Sequence, residues 1–419
     1  MNSKPPPYIQ AFIWIWLLGE TSPVVAGKLR LEGQNLLFNY GQSYLKRKNA
    51  IAIYDAELPL KSGIHPLSAG LSMPNCIRDA APDAWGRRVL INRLLGLKGD
   101  DASNTTQLDE LTYLLESGSD RIGALDFQHS ATEYMARSPV NASLEELLDS
   151  AARVESGVPL TPELDQALHH GSSIGGARPK ALIEEGDKKY IAKFSSSTDL
   201  YSIVKAEFIA MRLASLAGLE VAPVSMAYAS NKDVLLIERF DRFHVPDGWE
   251  RKAMVSGLTL LGLDEMMARY ASYEDLAEII RHRFKDAPAT LRELFSRLVF
   301  NILCGNTDDH ARNHAAFWDG EMLSLTPAYD ICPQGRTGNE ATQAMLISGA
   351  NRMSQITACL DAAHHFLMSK KEAREIIEHQ ITVIETNWAA VCDEANLSET
   401  DRTLFWKRQF LNPFSLEGF

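Results

Sequence analysis

Residues Cys304–His314 read CGNTDDHARNH, a run of short polar side chains set between an apolar stretch ending near Cys304 and the apolar Ala315–Trp318. So many polar groups held between two buried elements mark a site, because buried polar atoms persist only where something pairs with them or uses them. Downstream, Met322–Leu325 reads as a short strand, and LTPAYDICP follows as a turn-like segment carrying Asp330. From about Leu258 to the C-terminus nearly everything else has helical periodicity. Upstream, Ile203–Ala217 reads as an amphipathic helix capped by Gly218, and strands are expected at Val224–Tyr228 and Val234–Ile237.

Further upstream, residues 171–194 read GSSIGGARPKALIEEGDKKYIAKF: a glycine loop running into a strand, a turn at Glu185-Gly186-Asp187, and a return strand at Lys189–Phe194. The N-terminal part is β-rich from Tyr8 to about Asp55, with a turn at Glu32-Gly33; helices are expected within Asn75–Leu97, at Gln107–Ser117 and at Ser143–Val154. Three regions follow: 1–150, β-rich with helices; 151–241, with the glycine loop and strands; and 242–419, α-helical. The alternation Phe12, Trp14, Trp16 is that of a strand packed on a core, not of a base-stacking platform.

The 419 residues are 45% hydrophobic and 23% charged, which excludes disordered, collagenous and coiled-coil classes. Lys plus Arg is 42 against 54 for Asp plus Glu, a net charge of −12, so nucleic acid is not coated by this chain directly. Five cysteines without a C-x-x-C pair point to neither a disulfide framework nor a zinc knuckle, and a reducing cytoplasm is expected. The apolar run Ala11–Leu18 is shorter than the roughly 20 residues a spanning helix needs, so no membrane partner is expected.

The interval Asp308-x-x-x-x-Asn313 is that of protein-kinase catalytic loops, in which the Asp accepts the acceptor hydroxyl proton and the Asn binds metal. Asp330 supplies the further carboxylate that an oxygen-rich Mg²⁺ site draws from a separate segment. Gly175-Gly176 and the strand lysine Lys193 offer amide donors and positive charge for phosphates. Glu207 on the following helix is a candidate partner for Lys193, and Glu238-Arg239-Phe240 is a candidate hinge along an adenine edge. Neither a Walker A sequence nor G-x-G-x-x-G is present. His310 and His314, four apart, lack H-E-x-x-H and a third ligand, so zinc chemistry is set aside.

SSIGGARPK, YIAKF, LLIERFDR, GNTDDHARNH and LTPAYD, in this order, resemble the HipA family of bacterial toxin kinases, and PDAWGRR in the first region resembles that family's N-terminal subdomain. The resemblance implies an α+β, protein-kinase-like two-lobed fold with a β-rich N-terminal subdomain and an α-helical C-terminal lobe. It also implies an ATP- and Mg²⁺-dependent serine/threonine kinase that phosphorylates an aminoacyl-tRNA synthetase, halts translation and causes growth arrest or persistence. The implied partner is a HipB-like antitoxin, through which DNA would be reached indirectly. By the same resemblance Asp308 is the catalytic base, Asn313 and Asp330 the Mg²⁺ ligands, and Lys193 the lysine on the ATP phosphates. The loop Gly175, Gly176, Ala177, Arg178, Pro179, Lys180 covers the phosphates; Glu238 and Phe240 form the hinge; His310 and Tyr329 flank the nucleotide. Ser173, or its neighbour Ser172, is the implied autophosphorylation site, where about two added negative charges would oppose closure of the loop over phosphates.

Two departures stand out. The family often has a small uncharged residue where this chain has Asp309, and SGLTLLGLDE, ending at Glu265, differs from the glutamine-containing segment of the best-known members. The alternatives left open are a small-molecule kinase, which uses the same catalytic spacing, and a degenerate kinase serving as an antitoxin-bound transcriptional corepressor.

Overall fold

The computed structural model describes residues 8–68, 70–95, 108–137, 142–161, 164, 176–196, 199–336 and 338–419. They divide into two compact units. The first comprises Met1–Ser197, Ala227–Val255 and Trp318–Gly320; the second comprises Thr198–Met226, Ser256–Phe317 and Glu321–Phe419.

The first unit begins with an antiparallel sheet of β1 (Gln10–Ile15), β2 (Val24–Glu32), β3 (Asn35–Tyr40) and β4 (Leu125–Gln128), in the order β3-β2-β1-β4. Gly33 turns the β2–β3 hairpin at φ +64, a left-handed position that glycine enters without steric cost. Trp14 and Trp16 are buried, with their indole N–H groups donating to Ser130 O and Thr21 O, each at 3.0 Å, which places them in the core as their alternation predicts. The helices here are α1 (Gln42–Leu45), α2 (Asn75–Arg78), α3 (Ala84–Leu95), α4 (Glu110–Glu116) and α5 (Leu144–Ser156). The last carries a full capping box between Ser143 and Glu146 and ends at Gly157 in the left-handed region.

A second sheet has the order β5-β6-β8-β7, with β5 Lys180–Glu185, β6 Lys188–Phe194, β7 Val224–Ala229 and β8 Lys232–Glu238. The β5–β6 hairpin turns at Gly186 and pairs Lys180 with Lys193. Trp85 and Val89 of α3 and Leu147, Leu148, Ala151 and Val154 of α5 share a core with Ala181, Ala192, Phe194 and Val234 of the sheet. Helix α5 crosses residue 150, so the N-terminal helices and the glycine-loop sheet are packed as one body. A hairpin of β9 (Arg242–Val245) and β10 (Gly248–Arg251) follows, and then β11 (Met254–Ser256).

The second unit is helical: α6 (Ile203–Leu216), α7 (Gly257–Leu260), α8 (Tyr273–Arg283), α9 (Ala287–Cys304), α10 (Ile356–Ala362), α11 (Lys370–Glu394) and α12 (Glu399–Phe405). Gly218 follows α6 at φ +84, as the sequence predicts. Within Leu258–Phe419 the strand expected at Met322–Leu325 forms as β13 (Leu323–Leu325), paired with β12 (Ala315–Trp318), and LTPAYDICP is free of helix as expected; the helical expectation is too broad over 334–355, where, as throughout 326–355, no helix forms among the described residues. Pro327, Pro333 and several glycines break helical propagation there, and the backbone is satisfied by isolated bridges such as Val221↔Ala328 and Thr342↔Met353. No helix among the described residues is long and apolar enough to cross a membrane.

Candidate active site

In the second unit α9 ends at Gly305, φ +73, where a Cβ would lie 2.7 Å from Gln409 O, so only glycine both turns the chain and admits that backbone. The next residue, Asn306, is buried; its Nδ2 donates to Asn301 Oδ1 at 2.9 Å and to Asp330 O at 3.5 Å. This amide ties the polar segment to the distant Asp330, a role that the sequence gives no periodic signal for.

The two adjacent aspartates take opposite environments. Asp309 is buried; it accepts from Tyr273 Oη, and His314 Nε2 lies 3.3 Å from its Oδ2. Burial first, then the charge of Asp309, holds the Tyr273 phenol protonated, well above its ordinary pKa. Asp308 is exposed. Desolvation pushes its carboxyl above the ordinary pKa; His310 draws it down, and Asp330 and Asp309 push it up again. A reachable carboxylate with raised basicity is suited to accept a proton, and its buried neighbour is suited to hold the loop. This separates the roles of the two residues.

Asn313 is buried and donates Nδ2 to Asp308 O at 3.4 Å, which leaves its amide oxygen for a ligand. Asp330 sits at φ +60, a conformation Asp tolerates better than most residues. Its approach is fixed by the buried Arg297 of α9, which donates to Thr326 O at 2.8 Å, and by Ala222 N donating to Ala328 O at 2.9 Å. Tyr329 Oη donates to Arg312 O at 2.7 Å, so Tyr329 and Asp330 are drawn to the segment that carries Asp308 and Asn313. His310 and His314 each keep a buried Nδ1 without a hydrogen-bond partner among the described residues.

An amide oxygen and a carboxylate are hard oxygen donors of the kind Mg²⁺ takes, and the mutual repulsion of Asp308 and Asp330 is what a cation would relieve. Among the described residues no cluster of three or more His, Cys, Asp or Glu stands ready to hold a metal. A cation bound by Asn313 and Asp330 would therefore draw its remaining oxygens from water or phosphate, as Mg²⁺ commonly does.

In the first unit Lys193 and Lys180 are buried on paired strands, and the glycine loop re-enters the described residues at Gly176. Ser172, Ser173 and Gly175 lie outside the described residues. Gly176 has φ +95, and its N–H donates to Asp83 Oδ2 at 2.8 Å; its carbonyl accepts from Trp85 N at 3.0 Å, while Trp85 Nε1 donates to Lys180 O at 3.0 Å. PDAWGRR is thus a clamp on the base of the loop, whereas helical spacing predicts only local packing for that tryptophan. Ala177, Arg178 and Pro179 complete the connection to β5; Glu207, in the second unit, is buried on α6.

At the hinge, Glu238 pairs with Lys188 at 2.6 Å, and Arg239 N donates to Lys189 O at 2.8 Å. The Arg239 side chain is buried and spent on Asp241 and on Asp120, which is 2.9 Å from its Nη1. Arg242 reaches Asp120 at 3.0 Å and Asp241 at 2.9 Å, Lys189 reaches Asp120 at 2.8 Å, and Asp241 accepts Gly123 N at 2.8 Å. Against the opposing effect of burial, Arg239, Arg242 and Lys189 hold Asp120 well below the usual carboxylate range. Burial and the like charge of Arg239 push Arg242 down to about 9. Phe240 is the one hinge residue between these charged anchors.

Residues 172–388 match the HipA-like C-terminal domain, and residues 20–128 match the HipA N-terminal domain. The chain is 27% identical over 325 residues to a putative kinase, Y4mE, of Sinorhizobium fredii, covering 70% of this chain and 71% of that one. It is 25% identical over 186 residues to the serine/threonine-protein kinase toxin HipA of Shewanella oneidensis, spanning 38% of this chain and 42% of that relative. The structure superposes with a TM-score of 0.66 on a Shewanella oneidensis HipA solved with HipB and operator DNA, at 19% identity and over 94% of this chain and 93% of that one. That likeness gives the fold, a protein-kinase-like α+β fold, and the two matched domains give the family: the chain belongs to the HipA family.

Proposed function

We propose that this protein is the kinase toxin of a toxin–antitoxin pair, transferring the γ-phosphate of ATP to a serine or threonine hydroxyl of a protein. The observation that carries the reading is the split between Asp308, reachable and raised in pKa, and Asp309, buried under Tyr273 and beside His314. Asp308 orients the acceptor hydroxyl and takes its proton; the hydroxyl oxygen then bonds to the γ-phosphorus as the bond to the bridging oxygen breaks, and ADP leaves. Mg²⁺, when bound, neutralises charge on the phosphate oxygens, and Asn313 and Asp330 are the residues that would hold it. Lys193 and the loop Gly175–Lys180 would serve the phosphates, Glu238 and Phe240 the adenine edge, and His310 and Tyr329 the flanks of the nucleotide. Arg239 enters as the residue that anchors the hinge.

The acceptor we infer is an aminoacyl-tRNA synthetase in the cytoplasm, whose modification would stop translation and lead to growth arrest or persistence. The partner is a HipB-like DNA-binding antitoxin; at a net charge of −12 the chain itself would reach DNA only through that partner. Ser173 is the proposed self-phosphorylation site and off switch. Incubation of the wild type and Asp308→Asn with γ-labelled ATP, Mg²⁺ and bacterial lysate tests the reading. Label on Ser173 and on one synthetase, with the wild type alone, is the expected result; equal label with Asp308→Asn refutes the assignment.

A further inference from the structure

Residues 256–273 contain the segment in which this chain departs from the best-known members, and they are tied to the catalytic segment at three points. Gly257 N donates to His314 O at 2.6 Å, and a Cβ there would lie 2.5 Å from Ala311 O. Glu265 pairs with Arg312 at 2.5 Å. Tyr273 Oη donates to Asp309. Between these ties a single 3₁₀ turn, Glu265–Tyr270, presents Met266 at 84%, Met267 at 42% and Tyr270 at 51% exposure, beside an exposed Arg269. An apolar cluster held out to solvent next to a catalytic loop is the exception to burial that marks an interaction surface, and Met, Tyr and Arg are the residues such surfaces favour.

The charge on this face selects the occupant. Asp264 is spent capping Met267 N at 2.8 Å, and Glu265 is spent on Arg312. Arg269 stacks over the Tyr270 ring, and Arg352 donates to Arg269 O at 2.8 Å; neither arginine has a carboxylate partner among the described residues. Arg352, half-buried, gives its guanidinium to the carbonyls of Ala344 and Arg269, so in a chain of net charge −12 it is the exposed Arg269 beside the exposed methionines that makes this face locally basic and apolar. A face made of exposed side chains does not enclose a small acceptor, which requires a concave pocket, but it fits a protein segment.

We propose that Met266, Met267, Arg269 and Tyr270 dock the acceptor segment of the protein substrate, taking an apolar side chain and an acidic one near the phosphorylated hydroxyl. The proposal rests on the kinase reading and deepens it, since it selects a protein over a small-molecule acceptor.

The test is labelled-phosphate transfer to a positional-scanning library of short serine-centred peptides, together with ATP turnover, for the wild type, Arg269→Glu and the double variant Met266→Asp/Tyr270→Ser. The wild type is expected to favour one apolar and one acidic position. Arg269→Glu should invert the acidic preference by about two- to fivefold, the range of an exposed ion pair, and the double variant should lose the apolar preference by about tenfold, the scale of one desolvated side chain. Transfer with preferences unchanged in the variants, or ATP turnover with no peptide preference, overturns the docking face and leaves the kinase reading standing. Absence of both ATP turnover and transfer in a folded wild type overturns both. Sedimentation gives the remaining arm: a dimer of the wild type that Met266→Asp/Tyr270→Ser dissolves would assign this face to a second copy of the chain and overturn the proposal.

Discussion

Two stretches of this chain look alike in the sequence and fold into opposite environments. LLIERFDR, Leu235–Arg242, and GNTDDHARNH, Gly305–His314, are both dense in Asp and Arg. In the first, Arg239, Asp241 and Arg242 are buried and paired with one another and with Asp120, so the charges are saturated. In the second, Asp308 stays reachable with a raised pKa, and His310 and His314 keep orphaned ring nitrogens. Saturation makes a scaffold that resists change; incompleteness leaves groups with work to do on a ligand. The comparison predicts that substitutions in the first stretch cost mainly folding, and those in the second mainly chemistry.

The largest expected effect is Asp308→Asn, which should lower phosphate transfer by about 10²–10⁴-fold, the range for loss of a general base, with thermal unfolding unchanged. Asp241→Ala should do the reverse, costing about 3–5 kcal/mol in denaturant unfolding because it leaves the two buried guanidinium groups of Arg239 and Arg242 with Asp120 as their shared carboxylate. A stable Asp241→Ala protein would break the contrast.

Asp309→Asn sharpens it within the catalytic segment. The amide keeps one acceptor oxygen but loses the charge and sets an NH2 donor where the second oxygen was, so Tyr273 and His314 can no longer both be satisfied, at a cost of about 1–3 kcal/mol of stability. Transfer should fall less than for Asp308→Asn, and a deeper loss would move the base to Asp309.

The two stretches also respond to pH with opposite meaning. As the proposed base, Asp308 would act only when ionised, and its pKa is raised, so transfer should fall with decreasing pH through a limb above the ordinary Asp value of about 3.9. Asp120 and Asp241 are depressed in the folded state, so their stabilisation is full above about pH 4 and is lost as pH falls through their lower folded values. Activity should therefore fade at a pH where the fold still holds, which far-ultraviolet circular dichroism alongside the rate measures.

The smallest effect is expected at the loop clamp. Trp85→Phe removes the indole donor to Lys180 O, and one hydrogen bond of about 0.5–1.5 kcal/mol corresponds to a rise in the KM for ATP of about two- to tenfold. An unchanged KM would reduce PDAWGRR to packing.

What the sequence disclosed and what it hid follow the same division. Elements set by local chemistry were legible: the helix from Ser143, the helix ended by Gly218 and the hairpin turn at Gly186. Ties between residues far apart in sequence were not, because no periodicity records them. Asn306 on the Asp330 carbonyl, Asp83 on Gly176 and Asp120 on Arg239 all join segments that local reading treats separately. The helical expectation across 334–355 failed for a related reason: residues there are placed by isolated bridges such as Ser272↔Leu346 and Thr342↔Met353.

The measurement that tests the central claim most directly is single-turnover transfer of γ-labelled phosphate by the wild type, Asp308→Asn and Asp309→Asn at saturating ATP and Mg²⁺, with unfolding temperatures taken on the same samples. The account predicts transfer lost in a fully stable Asp308→Asn protein and largely kept in a destabilised Asp309→Asn protein. Undiminished transfer by Asp308→Asn, or loss confined to Asp309→Asn, would contradict it.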